Sequence, residues 1–158
     1  MLALLMAIVL STCAMADSGA RPDVSRLPAI VQSGLTAYKA DGAQAAMNAW
    51  MIGSPIALAE QPRHEVHALR QFEEQFGKYA DFHVVRIVTI SPTTQMIYVQ
   101  LDYLNGPAFG KFLAYQTKQA WNIVNLTFGA DPEVVWGVSL FGIPADNCEY
   151  VDGVMLVK

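Results

Sequence analysis

Cysteine is scarce in this chain, and so are the linkages that it usually supports. Only Cys13 and Cys148 occur among the 158 residues, and they form no Cys-x-x-Cys pair. If the N-terminal segment is removed on maturation, Cys148 remains alone, and no internal disulfide can form. We interpret Cys148 as a small buried or partly buried residue and not as a reactive thiol.

Charge is also sparse. Charged residues make up 15% of the chain, the net charge is −4, and the ten lysines and arginines form no run along the sequence. Nucleic-acid and anionic-membrane footprints need clustered basic residues. We therefore expect no nucleic-acid partner.

The common catalytic signatures are missing as well. The sequence has no Gly-x-Ser-x-Gly nucleophile motif and no glycine-rich phosphate loop. Ser54 and Ser91 each precede a proline, so we interpret them as turn residues. Lys111 follows a glycine inside a strand-like run and is not a phosphate-loop lysine. No cofactor is expected.

The N-terminus explains part of the 53% hydrophobic content. Residues 1–16 carry no charge and are too short to span a bilayer, which takes roughly 20 apolar residues. They end in Ala14-Met15-Ala16, a small-x-small pattern that suits signal peptidase. We predict a signal peptide over residues 1–16, a flexible mature N-terminus over 17–23, export to the periplasm or the medium, and no transmembrane segment in the mature chain. The alternative is a lipoprotein signal anchored through Cys13.

Helical periodicity dominates the first half of the mature chain. Apolar residues recur at spacings of three and four from Leu27 to Tyr38, and Asp41-Gly42 should end that helix. A second, short helix is predicted from Ala43 to Met51. A third should begin near Pro62, bury a stripe centred on Phe72, and end at Gly77.

After Gly77 the period changes to two, which is typical of strands. Strands are predicted over residues 82–90, 96–104, 109–117 and 121–128, with short links that indicate an antiparallel meander. Helices followed by strands indicate the α+β class. Residues 136–158 are predicted to pack as a C-terminal extension on or beside the domain, with a short strand over 154–157.

Several of these motifs together resemble the nuclear transport factor 2-like, or cystatin-like α+β, superfamily. The motifs are a helix pair joined by Asp41-Gly42, the Phe76-Gly77-Lys78 helix end, the tyrosine-rich strand before Asn105-Gly106-Pro107, and Trp121 to Pro132. The resemblance covers residues 24–135. It implies a cone in which a curved antiparallel sheet of about four strands wraps the three helices.

Such a cone can hold a pocket between helices and sheet. Large side chains from both halves are candidates to line it: Tyr38, Trp50, Met51, Tyr98, Tyr103, Phe112, Tyr115 and Trp121. Ordinary core packing is the competing interpretation for each of them.

The position of Asp102 distinguishes the hypothesis of an enzyme from that of a binding protein. Ketosteroid isomerase, a member of the superfamily, uses a carboxylate base and an oxyanion donor inside an apolar cone. Strand alternation puts Asp102 on the face opposite Leu101 and Tyr103, so we expect it to be largely exposed and not catalytic. A bulge between Tyr98 and Leu104 would reverse that facing.

A metal site is not predicted. His64 and His67 are one helical turn apart, but their spacing is one residue short of the His-Glu-x-x-His motif. We interpret them, with Glu65, as part of a solvated helix face. His83 stands alone in a strand and has no predicted role.

Three functions remain open. The first is an exported, non-enzymatic protein that binds a small apolar ligand or a protein partner through the cone pocket or the open sheet face. The second is an isomerase or cyclase-like lyase with Asp102 as the base and a tyrosine as the oxyanion donor. The third is an envelope assembly module that forms homodimers through its sheet.

Overall fold

A computed structural model describes residues 24–136, 148–151 and 154–157. The predicted signal peptide, with Cys13 and the Asp17 start, lies outside these residues, as do positions 17–23 and 137–147. A 3-10 turn over Val24–Arg26 precedes three helices, α1 (Ala29–Asp41), α2 (Ala43–Trp50) and α3 (Gln61–Phe76). No helix in the described part of the chain is long and apolar enough to cross a membrane.

Glycine ends α1 and α3 where the sequence predicts that it should. Gly42 and Gly77 each have a φ of 83°, and their backbone N–H groups donate to the carbonyls of Tyr38 and Glu73. Positive φ is strained for a residue with a Cβ, so glycine at these positions turns the chain without that cost.

Four antiparallel strands follow the helices: β1 (Tyr79–Ser91), β2 (Thr94–Tyr103), β3 (Gly106–Gln116) and β4 (Trp121–Gly129). They pair in sequence order, with β1 and β4 at the edges. The predicted α+β class, with three helices before an antiparallel sheet, is confirmed.

A short helix α4 (Pro132–Trp136) follows the sheet, and Asp131 caps it by accepting the backbone N–H of Glu133 at 2.8 Å. The tail contains β5 (Cys148–Val151) and β6 (Val154–Val157), which pair as a separate two-stranded sheet. The strand predicted over 154–157 is therefore present, with a partner that the sequence reasoning did not find.

The inner face of the sheet packs on the helices. On β2, Ile97, Val99 and Leu101 are fully buried, and Tyr103 is 6% exposed. Register between β2 and β3 runs without interruption from Thr94 opposite Tyr115 to Tyr103 opposite Gly106. The alternation predicted for β2 therefore holds along its length, and the register shifts lie elsewhere, in the β1–β2 and β3–β4 pairings.

Trp50 occupies the centre of the core. Its side chain is fully buried, and its ring lies 5.1 Å from Phe112 and 5.5 Å from Phe128, measured between centroids. The indole Nε1 donates to the carbonyl of Val31 in α1 at 3.1 Å. The ring lies directly against Gly34, where a Cβ would overlap its atoms. Helices α1 and α2 approach closely here only because residue 34 has no side chain.

Side chains of residues 54–65 cover the β4 edge. Ser54 donates to the carbonyl of Ile123, Gln61 donates to that of Leu126 at 2.7 Å, and the Phe128 backbone N–H donates to Glu65 Oε2 at 2.9 Å. Edge strands expose backbone groups that can pair with another chain. These three bonds satisfy such groups within the molecule and fix α3 against the sheet.

We predict that Gly34→Ala destabilises the protein although alanine favours helices by about 1 kcal/mol over glycine. The new Cβ would overlap the Trp50 ring, and overpacking costs about 1–3 kcal/mol. Urea denaturation of the variant and of Ser33→Ala, its exposed neighbour in α1, measures the difference. A Gly34→Ala protein more stable than the parent would contradict the close contact.

Candidate functional site

Three buried tyrosines form one cluster among α1, α3 and the β1–β2 pair. The hydroxyls of Tyr38 and Tyr103 lie 2.9 Å apart, and Tyr38 donates to the carbonyl of Leu69 at 3.2 Å. Tyr79 stacks on Tyr38 with ring centroids 4.2 Å apart, and its hydroxyl has no hydrogen-bond partner among the described residues.

Burial raises the pKa of all three phenols, and desolvation of the charged form is the largest cause. The hydroxyls therefore stay neutral and act as hydrogen-bonding groups of the core. None of the three residues lines the surface cavities described below.

The structure does not bring the predicted pocket residues together at one site. Trp50 and Phe112 are fully buried in the core, and Tyr38 and Tyr103 are almost completely buried there. Tyr98 lies on the outer face of the sheet, where Val135 of α4 belongs to the same small buried cluster. Tyr115, at the end of β3, is 45% exposed. Met51 and Trp121 line two different surface cavities.

Asp102 lies on the outer face, as alternation predicts, but the expectation that it is largely exposed is wrong. Its side chain is 29% exposed. Its Oδ2 lies 2.9 Å from His83 Nε2, and its Oδ1 accepts the Gln100 side-chain amide at 2.8 Å. Sequence reasoning missed His83 because the β1–β2 register that brings it beside Asp102 includes irregular positions.

The His83–Asp102 pair has no adjacent nucleophile among its described register partners. Asp81 lies opposite Asp102 on β1, Pro107 lies opposite it on β3, and Phe109 lies opposite Gln100. A hydroxyl or thiol beside the imidazole is what an activated nucleophile requires. The pair also faces away from the helices, so it does not resemble a base inside an apolar cone.

The interpretation of Glu65 as part of a solvated face is wrong. Its side chain belongs to the buried side of α3 and is 7% exposed, because its carboxylate accepts the Phe128 N–H. Burial raises the pKa of Glu65, while that hydrogen bond and nearby His64 act in the opposite direction. His64 and His67 are exposed as expected. Among the described residues, no three His, Cys, Asp or Glu side chains are placed to hold a metal ion.

A groove of about 830 Å³ opens between the start of α1, the end of α2 and the β3–β4 turn. We call it the hairpin groove. Its large apolar side chains are those of Ile30, Ile52 and Trp121. Its polar groups come from Ser33, Lys118 and Asn122. Its remaining lining residues are small or belong to the turn: Ala29, Ala49, Gly53, Thr117, Gln119 and Ala120.

A second cavity of about 460 Å³ lies between α2 and α3, below the loop that joins them. We call it the helix cavity. Met47, Met51 and Val66 provide apolar surface, while Arg63 and Arg70 come from α3. Sequence reasoning identified only Met51 here and only Trp121 in the hairpin groove, because both cavities depend on loops whose path the periodicity does not specify.

No protein-family model matches the chain, and no curated protein or solved structure shows significant similarity to it. Function is therefore inferred from the residues and the geometry.

We predict that Glu65 makes stability fall as pH rises. Its pKa in the folded protein lies above the ordinary value of 4.5. The folded state therefore binds this proton more tightly than the unfolded state does. The resulting stabilisation is complete below pH 4.5 and is lost as pH rises through the folded-state pKa.

Urea denaturation at several values between pH 4 and pH 8 tests this prediction on the parent and on Glu65→Gln, which keeps an acceptor for the Phe128 N–H. The stability of the parent relative to Glu65→Gln should decrease as pH rises. Glu74→Gln, an exposed change on the same helix, is the matched control. A parent that gains stability over Glu65→Gln with rising pH would show that the hydrogen bond outweighs desolvation.

Proposed function

We propose that this chain is an exported binding protein without catalytic activity, of the nuclear transport factor 2-like group, that holds a small apolar ligand in the hairpin groove. The observation that carries the proposal is the groove itself. It lies where helices and sheet meet at one end of the domain, and Trp121, one of the pocket residues predicted from sequence, lines it.

The size and lining of the hairpin groove suit a small apolar molecule. Ligand pockets usually enclose about 300–1,000 Å³ and combine apolar walls with a few polar groups. The hairpin groove has about 830 Å³, with Ile30, Ile52 and Trp121 as its apolar surface. Lys118 and Asn122 offer donors that would orient a ligand with one polar end.

The filled core supports a site at this end of the domain and not deep between helices and sheet. Trp50 and Phe112 have no exposed surface, and the three tyrosines close the space on the α3 side. The isomerase alternative is weakened because Asp102 lies on the opposite face of the sheet from the helices. The dimerisation alternative has less sheet available, since α4 packs on part of the outer face.

Binding of a neutral hydrophobic dye, N-phenyl-1-naphthylamine, tests the groove. We expect Ile52→Asp to weaken dye binding at least fivefold, because a charge replaces apolar surface at the rim of the groove, where the dye would have to desolvate it. Leu104→Asp is the matched control, since Leu104 and Ile52 are both 71% exposed and only Ile52 lines the groove. Dye fluorescence titrations give both affinities.

Two outcomes would count against this function. Equal loss in the Ile52→Asp and Leu104→Asp proteins would mean that the dye binds no defined groove. If Asp102→Asn lost dye binding and Ile52→Asp kept its dye affinity, the dye site would lie on the outer face of the sheet. That result would support the enzymatic alternative.

Export is supported by the uncharged apolar run and the Ala14-Met15-Ala16 pattern. We expect the material exported from a bacterial host to begin at Asp17, as measured by intact mass. Ala16→Asp, which places a charge at the cleavage position, should block processing. A retained Met1 in the exported parent, or a lipid mass on Cys13, would contradict the prediction.

A further inference from the structure

The helix cavity contains a row of basic side chains on α3. Arg63, His67 and Arg70 follow one another at spacings of four and three residues, so they share one face of the helix. With a rise of 1.5 Å per residue, the row extends over about 10 Å. The two arginines of the row line the cavity, whereas the glutamates of α3, Glu65, Glu73 and Glu74, do not.

Amides and apolar groups complete the lining. Gln44 and Asn48 of α2 belong to it, and the Gln44 amide donates to the Asn48 side-chain oxygen at 3.1 Å. Met47, Met51 and Val66 supply apolar surface, and methionine adapts its shape to different alkyl groups. No aspartate or glutamate is among the residues that line the cavity.

Neither arginine forms an ion pair within 4.0 Å in the described part of the chain. The close pairs of opposite charge there are Lys39 with Asp81, at 3.7 Å, and His83 with Asp102 when the imidazole is protonated. Neither involves α3. Guanidinium groups have a planar set of donors that matches carboxylate and phosphate oxygens, so this row is suited to an oxyanion.

The loop above the cavity adds an apolar rim. Ala57, Leu58 and Ala59 line the cavity from this side, and the Leu58 side chain is fully exposed at 101%. An exposed leucine beside a basic row offers contact to the alkyl part of a ligand whose head group is anionic. The volume of about 460 Å³ fits a small molecule and is too small for a folded partner.

We propose that the helix cavity is a binding site for a small amphipathic anion, an oxyanion on a short alkyl chain. The head group pairs with Arg63 and Arg70, with His67 between them, and the chain lies on Met47, Met51 and Leu58. This site shares no lining residue with the hairpin groove, so it is separate from the function proposed above.

Calorimetric titration of the full chain tests the proposal with three probes of equal chain length, each below its micelle concentration: octanoate, octyl phosphate and 1-octanol. Octanoate stands for a free carboxylic acid and octyl phosphate for a phosphate-headed lipid. At least one of these two anions should bind at least tenfold more tightly than 1-octanol. The anion that binds more tightly identifies the source of the oxyanion. Added salt should weaken that binding, because part of it is electrostatic.

Substitutions assign the binding to the cavity. Arg63→Gln and Arg70→Gln should each weaken the tighter probe at least fivefold, and Leu58→Asp should weaken it as well. Arg86→Gln removes the same group from an exposed position on β1 and should have no effect. Far-UV circular dichroism checks that each variant folds.

The proposal fails if neither oxyanion binds, if 1-octanol binds as tightly as both, or if Arg86→Gln has the same effect as the α3 variants. Ile52→Asp keeps the two sites distinguishable. It should weaken dye binding in the hairpin groove at least fivefold and leave the oxyanion affinity unchanged, so either site can fail without the other.

Discussion

The contact between Trp50 and Gly34 is the constraint on which the arrangement of this domain depends. The indole fills the space between α1 and the sheet, reaches Phe112 and Phe128, and satisfies its own N–H on the carbonyl of Val31. A large aromatic side chain in that position leaves no room for a ligand in the middle of the core. The two cavities described above lie instead at the edge of the core, beside the β3–β4 turn and below the loop between α2 and α3.

Polar side chains attach α3 and the loop before it to the edge strand β4. Glu65 is buried beside β4 because a backbone N–H of that edge strand needs an acceptor, and Gln61 and Ser54 bind carbonyls of the same strand. An unpaired buried backbone group costs about 1–3 kcal/mol, so these bonds fix α3 and the preceding loop in one position. The ionisable group at Glu65 makes that attachment sensitive to pH.

Much of the fold could be predicted from the sequence, because the change of hydrophobic period at Gly77 separates helices from strands and Asp41-Gly42 separates α1 from α2. The alternation of apolar and polar residues also predicted which side chains of β2 face the helices. Side-chain partners could not be predicted in this way. Glu65 takes its partner from β4 and His83 takes its partner from the neighbouring strand β2, and no local pattern encodes which residue that is. The row of Arg63, His67 and Arg70 is visible as helical spacing, but a search for linear runs of charge misses it.

Helix α2 is the wall that the two cavities share. Ala49 faces the hairpin groove, whereas Gln44, Met47 and Asn48 line the helix cavity. An eight-residue helix is marginal by itself, so its position comes from tertiary packing, chiefly of Trp50. Substituting Trp50 would disturb both cavities together and could not test one cavity apart from the other. Exposed residues at the rims, Ile52 for one and Arg63 or Arg70 for the other, change the chemistry of each cavity while the packing that forms it stays intact.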